Sequence, residues 1–101
     1  MHVRLSWGKV RPGSWAAYED AYRASLRDNE VDGLIVRYLI QSSADPDEGW
    51  SLSVWDDAAS AERYETGPLF DQVTAPLRRF WVGEYSTRHG EVRFRDELRK
   101  K

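Results

Sequence analysis

The order strand, helix, strand, strand, helix, strand predicts an α+β domain of the split βαβ, or ferredoxin-like, kind. Three observations carry this reading. Four segments are apolar with a period near two, two others repeat their apolar residues at helical spacing, and clusters of Pro, Gly and Asp separate them. The expected product is a four-stranded antiparallel sheet with the helices on one face.

The first strand lies in "HVRLSWGKV", where Val3, Leu5 and Trp7 alternate with His2, Arg4 and Ser6. Pro12 and Gly13 then break the run, and Ser14 is placed to cap a helix through its side-chain oxygen. Trp15, Tyr18, Tyr22 and Leu26 recur at helical spacing, so this helix is expected to end near Asn29. In "LIVRYLIQSS" Leu34, Val36, Tyr38 and Ile40 face one way, and Ile35, Arg37, Leu39 and Gln41 the other. Both faces carry apolar groups, which a strand wetted on one side would avoid. "ADPDEG" turns the chain into "WSLSVW", making strands two and three an antiparallel hairpin.

Asp56 or Asp57 can cap the next helix, "AASAERYE", which stops at "TGP". Helical spacing resumes through Leu69, Val73, Leu77 and Phe80, with a kink or restart expected at Pro76. "GEYSTRHGEVRFR" supplies the fourth strand, with an interruption expected at Gly90. With helices on one side only, strand two leaves an apolar patch on the other, and such patches mark interfaces. A homodimer with its sheets face to face is the expectation.

Length and composition bound the rest. A chain of 101 residues is read as one domain, residues 1–101, with no internal repeat or linker. It has no cysteine, which removes disulfides, thiolate metal sites and thiol catalysis. No apolar run approaches the ~20 residues that span a bilayer, and "MHVRLSWGKV" lacks the apolar stretch of a signal peptide. These features fit a cytoplasmic protein with no membrane partner. A formal charge of −2 argues against a general pull toward nucleic acid. The basic tail "RFRDELRKK" reads as a solvated terminus. Five Trp, five Tyr and three Phe are a heavy aromatic load, read as a compact core or as walls of a flat apolar pocket.

With the element order in hand, three stretches make the chain resemble the antibiotic-biosynthesis-monooxygenase-like group of dimeric α/β barrels. They are "VRPGSWAAYEDAY", "DGLIVRYLIQS" and above all "LSVWDDAASAERYETGPLF". In that group a strand commonly ends in Trp before an acidic or small pair, an alanine-rich helix and a small-residue-plus-Pro turn. The likeness runs from Val3 to about Phe94. It implies a cavity between sheet and helices, bordered here by Trp55. It also implies activities such as oxidation of polyketide phenols or anthrones without a bound cofactor, quinone-forming oxygenation, or haem degradation.

Several residues are candidates for that chemistry. The family's oxygenases use an Asn at the cavity; the one Asn here, Asn29, falls at a helix end, and Ser51 stands four residues before Trp55 on the same strand face. Haem degradation expects a proximal His in the second helical region, and Ala58 to Phe80 holds none. His89 is either a general base or a surface strand residue. Arg37, amid an apolar strand, either binds an anionic ligand group or pairs with a carboxylate across the dimer. Tyr64 either offers its hydroxyl to a ligand or sits in the core with a wet tip. Tyr38 joins Trp55, Ser51 and Tyr64 as a ligand-binding candidate, with His89 and Arg37 as the catalytic pair. No metal site and no cofactor are expected. The resulting reading is a monooxygenase-like protein acting on a small polyketide- or quinol-type aromatic. The alternative is a non-catalytic ligand-binding or stress-related dimer.

Overall fold

A computed structural model describes residues 1–99; Lys100 and Lys101 of the basic tail lie outside the described residues. The chain forms β1 (His2–Val10), α1 (Trp15–Ala24), β2 (Leu34–Gln41), β3 (Glu48–Trp55), α2 (Ala58–Thr66), α3 (Pro68–Arg78) and β4 (Trp81–Glu91). The strands make one antiparallel sheet in the order β2-β3-β1-β4, as the split βαβ reading requires. Among the described residues no helix is long and apolar enough to cross a membrane.

Helix boundaries follow local chemistry. Asp57, not Asp56, caps α2, its carboxylate accepting from the Ser60 amide at 2.8 Å. Ser14 precedes α1 but makes no side-chain cap; its hydroxyl turns back to the Arg11 carbonyl at 2.6 Å. Helix α1 ends at Ala24 rather than near Asn29. Its last carbonyls are taken in tighter turns, from Ser25 to Tyr22 and from Arg27 to Ala24. Pro76 does not break α3, which runs on to Arg78. So close to the helix end its missing N–H removes a single ladder bond.

The irregularity expected at Gly90 lies elsewhere. Gly90 pairs regularly with Val3, whereas the register shifts between Trp7 and Lys9, opposite Val82 to Ser86. Gly83 has φ +69° there, a left-handed angle that side chains with a Cβ resist, and it lets β4 bulge. Gly33, at φ +83°, has a second constraint: a Cβ would meet the Ser60 side chain at 2.4 Å.

The register assigns the two faces of the sheet. On one, Val36–Val54–Val3, Tyr38–Leu52–Leu5 and Ile40–Trp50–Trp7 form three apolar rows across β2, β3 and β1. No helix covers this face, and Tyr38 and Ile40 are exposed on it. On the other, Arg37–Ser53–Arg4–His89 and Leu39–Ser51–Ser6–Thr87 cross all four strands. A register shift between Leu34 and Val36 brings Leu34 onto this second face beside Trp55, and leaves Ile35 exposed. The helices therefore pack over the more polar side of the sheet. The apolar core sits toward one end, where Val10, Tyr18, Tyr22, Leu77 and Phe80 are buried together.

Candidate functional site

A sheet face lined with Ser, Thr and Arg cannot close against helices as an apolar core does, because each buried polar group needs a partner. A cavity of about 160 Å³ remains between that face and the helices. Its floor is those two rows except His89; its walls include Tyr22 from α1, Trp55, Tyr64 from α2 and Phe70 from α3. Such a mixture of aromatic walls and a few fixed polar groups is the usual composition of a small-molecule site.

The polar groups are paired, and the pairs fix their directions. Tyr22 Oη and Ser51 Oγ share a hydrogen bond of 2.6 Å, and Ser6 Oγ and Thr87 Oγ1 one of 2.9 Å. Trp55 Nε1 donates to Ser53 Oγ at 2.9 Å. Trp55 is 1 % exposed and stacks obliquely on Tyr64, ring centres 5.2 Å apart, with Phe70 edge-on beyond it. It is thus both core plug and cavity wall. No buried side-chain nitrogen or oxygen among the described residues lacks a partner.

Of the three arginines that line the cavity, Arg78 pairs with Asp71 of its own helix, and the two from the sheet stand in different electrical states. Arg4 Nε donates to Glu65 of α2, and its head lies over the Phe70 ring. Arg37 makes no ion pair among the described residues. It donates to the Ser25 hydroxyl at 3.0 Å and to the Tyr22 carbonyl at 3.1 Å, and stacks 4.1 Å above the Tyr22 ring. The helix end and the ring face offset part of its charge but supply no anion. Burial pushes the phenols of Tyr18, Tyr22 and Tyr64 above their ordinary value, while Arg37 pulls all three the other way. These tyrosines are neutral hydrogen-bonding groups at neutral pH.

The sequence candidates divide. Arg37, Ser51, Trp55 and Tyr64 come together around the cavity. Tyr38 stands 52 % exposed on the opposite, apolar face of the sheet, because it is one residue out of phase with Arg37. His89 is outside the cavity lining; it belongs to a cluster with His2 and Glu65 beside it. Asn29, beyond the end of α1, is not among the lining residues. Arg4, Ser6, Tyr22, Phe70 and Thr87 are lining residues that sequence reasoning missed. The signal was the polar half of β1, His2-Arg4-Ser6, in phase with Ser51 and Ser53 once the strands are paired.

A small α+β domain with an aromatic-walled, polar-floored cavity under its helices is the class this geometry defines. A family model described as "Antibiotic biosynthesis monooxygenase" matches residues 3–75, and the chain belongs to that family. No curated protein matches it by sequence. Among solved structures it is similar to a provisionally assigned antibiotic biosynthesis monooxygenase from Bordetella bronchiseptica, with TM-score 0.80 and 12% identity over 92% of this chain and 97% of that one. It is also similar to a mutant of SnoaB, a cofactor-independent oxygenase from Streptomyces nogalater, with TM-score 0.76 and 17% identity over 98% and 97% of the two chains. A conserved protein from Methanosarcina mazei gives TM-score 0.74 and 15% identity over 89% and 91%. At such identities the likeness establishes the fold.

Proposed function

We propose that the cavity binds a small electron-rich aromatic of the phenol, anthrone or quinol type as its anion, and that the protein is a cofactor-independent monooxygenase of such compounds. The observation that carries this reading is Arg37: an arginine with no carboxylate partner among the described residues, set among aromatic walls in a half-buried site. A half-buried cation of this kind stabilises a ligand anion more than it would in water. A phenolate or enolate can give one electron to dioxygen, and the radical and superoxide can then combine to a peroxide. Loss of water from that peroxide leaves a carbonyl, so one CH₂ and one O₂ become one C=O and one H₂O. The protein's part is to hold and orient the anion.

The alternative is ligand binding without turnover. It is favoured by the wall itself, whose one carboxylate among the described residues is the exposed Glu84 and which includes no imidazole. One experiment separates the two. Dithranol, a hydroxylated anthrone, is added under air while dioxygen consumption and quinone absorbance are followed beside tryptophan quenching. Quenching with oxygen uptake above the protein-free rate supports the oxygenase. Quenching alone supports the binder, and neither signal removes the aromatic ligand.

The working unit we propose is a cytoplasmic homodimer joined through the uncovered apolar rows of the sheet. Their exposure in the single chain supports it, since a contiguous apolar face is uncommon on a monomer.

A further inference from the structure

Hydrogen bonds between side chains hold the hydroxyls of the cavity floor, and one of these bonds has a fixed direction. In Tyr22–Ser51 and Ser6–Thr87 two hydroxyls meet, so either oxygen can be the donor. In the third, Trp55 Nε1 lies 2.9 Å from Ser53 Oγ, and both side chains are buried. An indole N–H donates and never accepts. Ser53 must therefore accept from Trp55, and its own hydroxyl hydrogen points elsewhere. No hydrogen bond among the described residues takes that hydrogen.

Strand geometry sets what surrounds it. Ser53 and Trp55 are two residues apart on β3, so both side chains rise from the same face of the sheet. Ser53 is 7 % exposed and lines the cavity. Its neighbours in the row are Arg37 of β2 and Arg4 of β1. Arg4 is held by Glu65, which leaves Arg37 as the guanidinium with charge to offer. A ligand oxygen above Ser53 thus meets a hydroxyl donor with a cation beside it. The indole bond strengthens that donor, because an O–H whose oxygen already accepts a hydrogen bond is more polarised.

We propose that Trp55 and Ser53 form a two-step donor relay ending in the cavity, and that it selects aromatic ligands with a free, ionised hydroxyl over their ethers. The relay presupposes the aromatic anion inferred from Arg37 and adds what that anion must carry: a bare oxygen able to accept from Ser53. An ether oxygen has no charge, and its alkyl group fills the space from which Ser53 donates. Ser53 touches the ligand. Trp55, besides being a wall, is a positioning residue that acts through Ser53.

The compounds p-nitrophenol and p-nitroanisole test this, since they share a ring and differ in the ionisable hydroxyl. Nitrophenolate is yellow, so absorbance reads the pH at which the bound ligand ionises. Binding to wild type should lower that pH. In Ser53→Ala it should rise again by about one unit, the tenfold effect of losing one hydrogen bond to a charged group. Ser53→Thr keeps the hydroxyl and should stay near wild type. Nitroanisole should bind wild type more weakly than nitrophenolate, with an affinity that Ser53→Ala leaves unchanged.

Because Ser53→Ala also strips the Trp55 N–H of its acceptor, a second reading uses wild type alone. The Trp55 indole proton, followed by NMR, should move downfield when nitrophenolate binds, since a serine oxygen that donates also accepts more strongly. It should move less with nitroanisole. The relay is overturned by an ionisation pH that is the same in wild type and Ser53→Ala, by equal weakening of both ligands, or by equal indole shifts with both. Any of these leaves Arg37 as the anion site. Failure of wild type to bind nitrophenolate at all would overturn the relay together with the aromatic-anion reading.

Discussion

Trp55 and Arg37 divide the work of the cavity wall. Trp55 is fully buried, so Trp55→Ala should cost ~3–5 kcal/mol, as truncations of buried large aromatics do. Urea melts at fixed protein concentration measure this, and a cost below ~2 kcal/mol would mean the neighbours collapse into the hole. Arg37 should matter for ligand charge. Arg37→Leu should weaken binding of an ionised hydroxynaphthoate roughly tenfold or more, about 1.4 kcal/mol, and leave neutral naphthol almost unchanged. Quenching titrations with the two compounds read the difference, and equal losses for both would assign Arg37 to packing. Trp55 and Arg37 were legible in the sequence because each is conspicuous in its own strand. Arg4, Ser6 and Thr87 were not: each looks like the wet half of an alternating strand. Only the decision about which face the helices cover makes them site residues, and packing in three dimensions makes that decision.

Among the elements, α2 shows how far local rules reach. Its N-cap, its stop at Gly67 and the restart at Pro68 are all written in adjacent residues, and all were legible. The end of α1 was not, because Arg37 from another strand competes for the Tyr22 carbonyl. The bulge was misplaced for a similar reason: Gly83 and Gly90 look alike in sequence, and only pairing with β1 distinguishes them. The Asp57 cap has a defined pH signature. The Ser60 amide leads the causes that hold its carboxyl below the ordinary 3.8. A depressed acid stabilises the fold above its unfolded value and loses that contribution as pH falls through the folded one. Wild type should therefore be more stable than Asp57→Asn at pH 7, and the gap should close below about pH 4. Parallel thermal melts from pH 7 down to pH 2 check it; a gap that does not narrow anywhere below pH 4 would show that the cap acts without its charge. Gly33→Ala tests the other constraint on this region. Left-handed backbone alone should cost about 1–2 kcal/mol, before the contact with Ser60 is relieved.

For the whole molecule, the apolar and polar faces of the sheet are reversed from the arrangement a monomer needs. A helix-covered sheet that turned its apolar rows inward could fold alone, with Ser and Arg in water. Here the helices shelter Ser6, Ser51, Ser53, Arg4 and Arg37, while nine apolar side chains of three strands lie on the face no helix covers, with Leu5, Tyr38 and Ile40 the exposed ones among them. The continuation of those rows into β4 is Gly90, Arg88 and Ser86, so the apolar field ends in a polar border on that side. An interface with an apolar centre and a polar rim has this layout. A second copy is the partner we propose for it, since two such sheets can cover each other by a two-fold axis. Leu52 lies at the centre, between Tyr38 and Leu5. Leu52→Glu should therefore convert a dimer into a monomer at micromolar concentration, because a charge desolvated without a partner costs several kcal/mol. Light scattering should give twice the monomer mass for wild type and the monomer mass for the variant, with circular dichroism unchanged. Arg88→Glu, at the border, should leave the dimer largely intact, since rim charges remain hydrated and contribute little. A wild-type monomer at these concentrations would end the proposal. Equal dissociation by both variants would move the interface away from the three rows and toward the β4 edge.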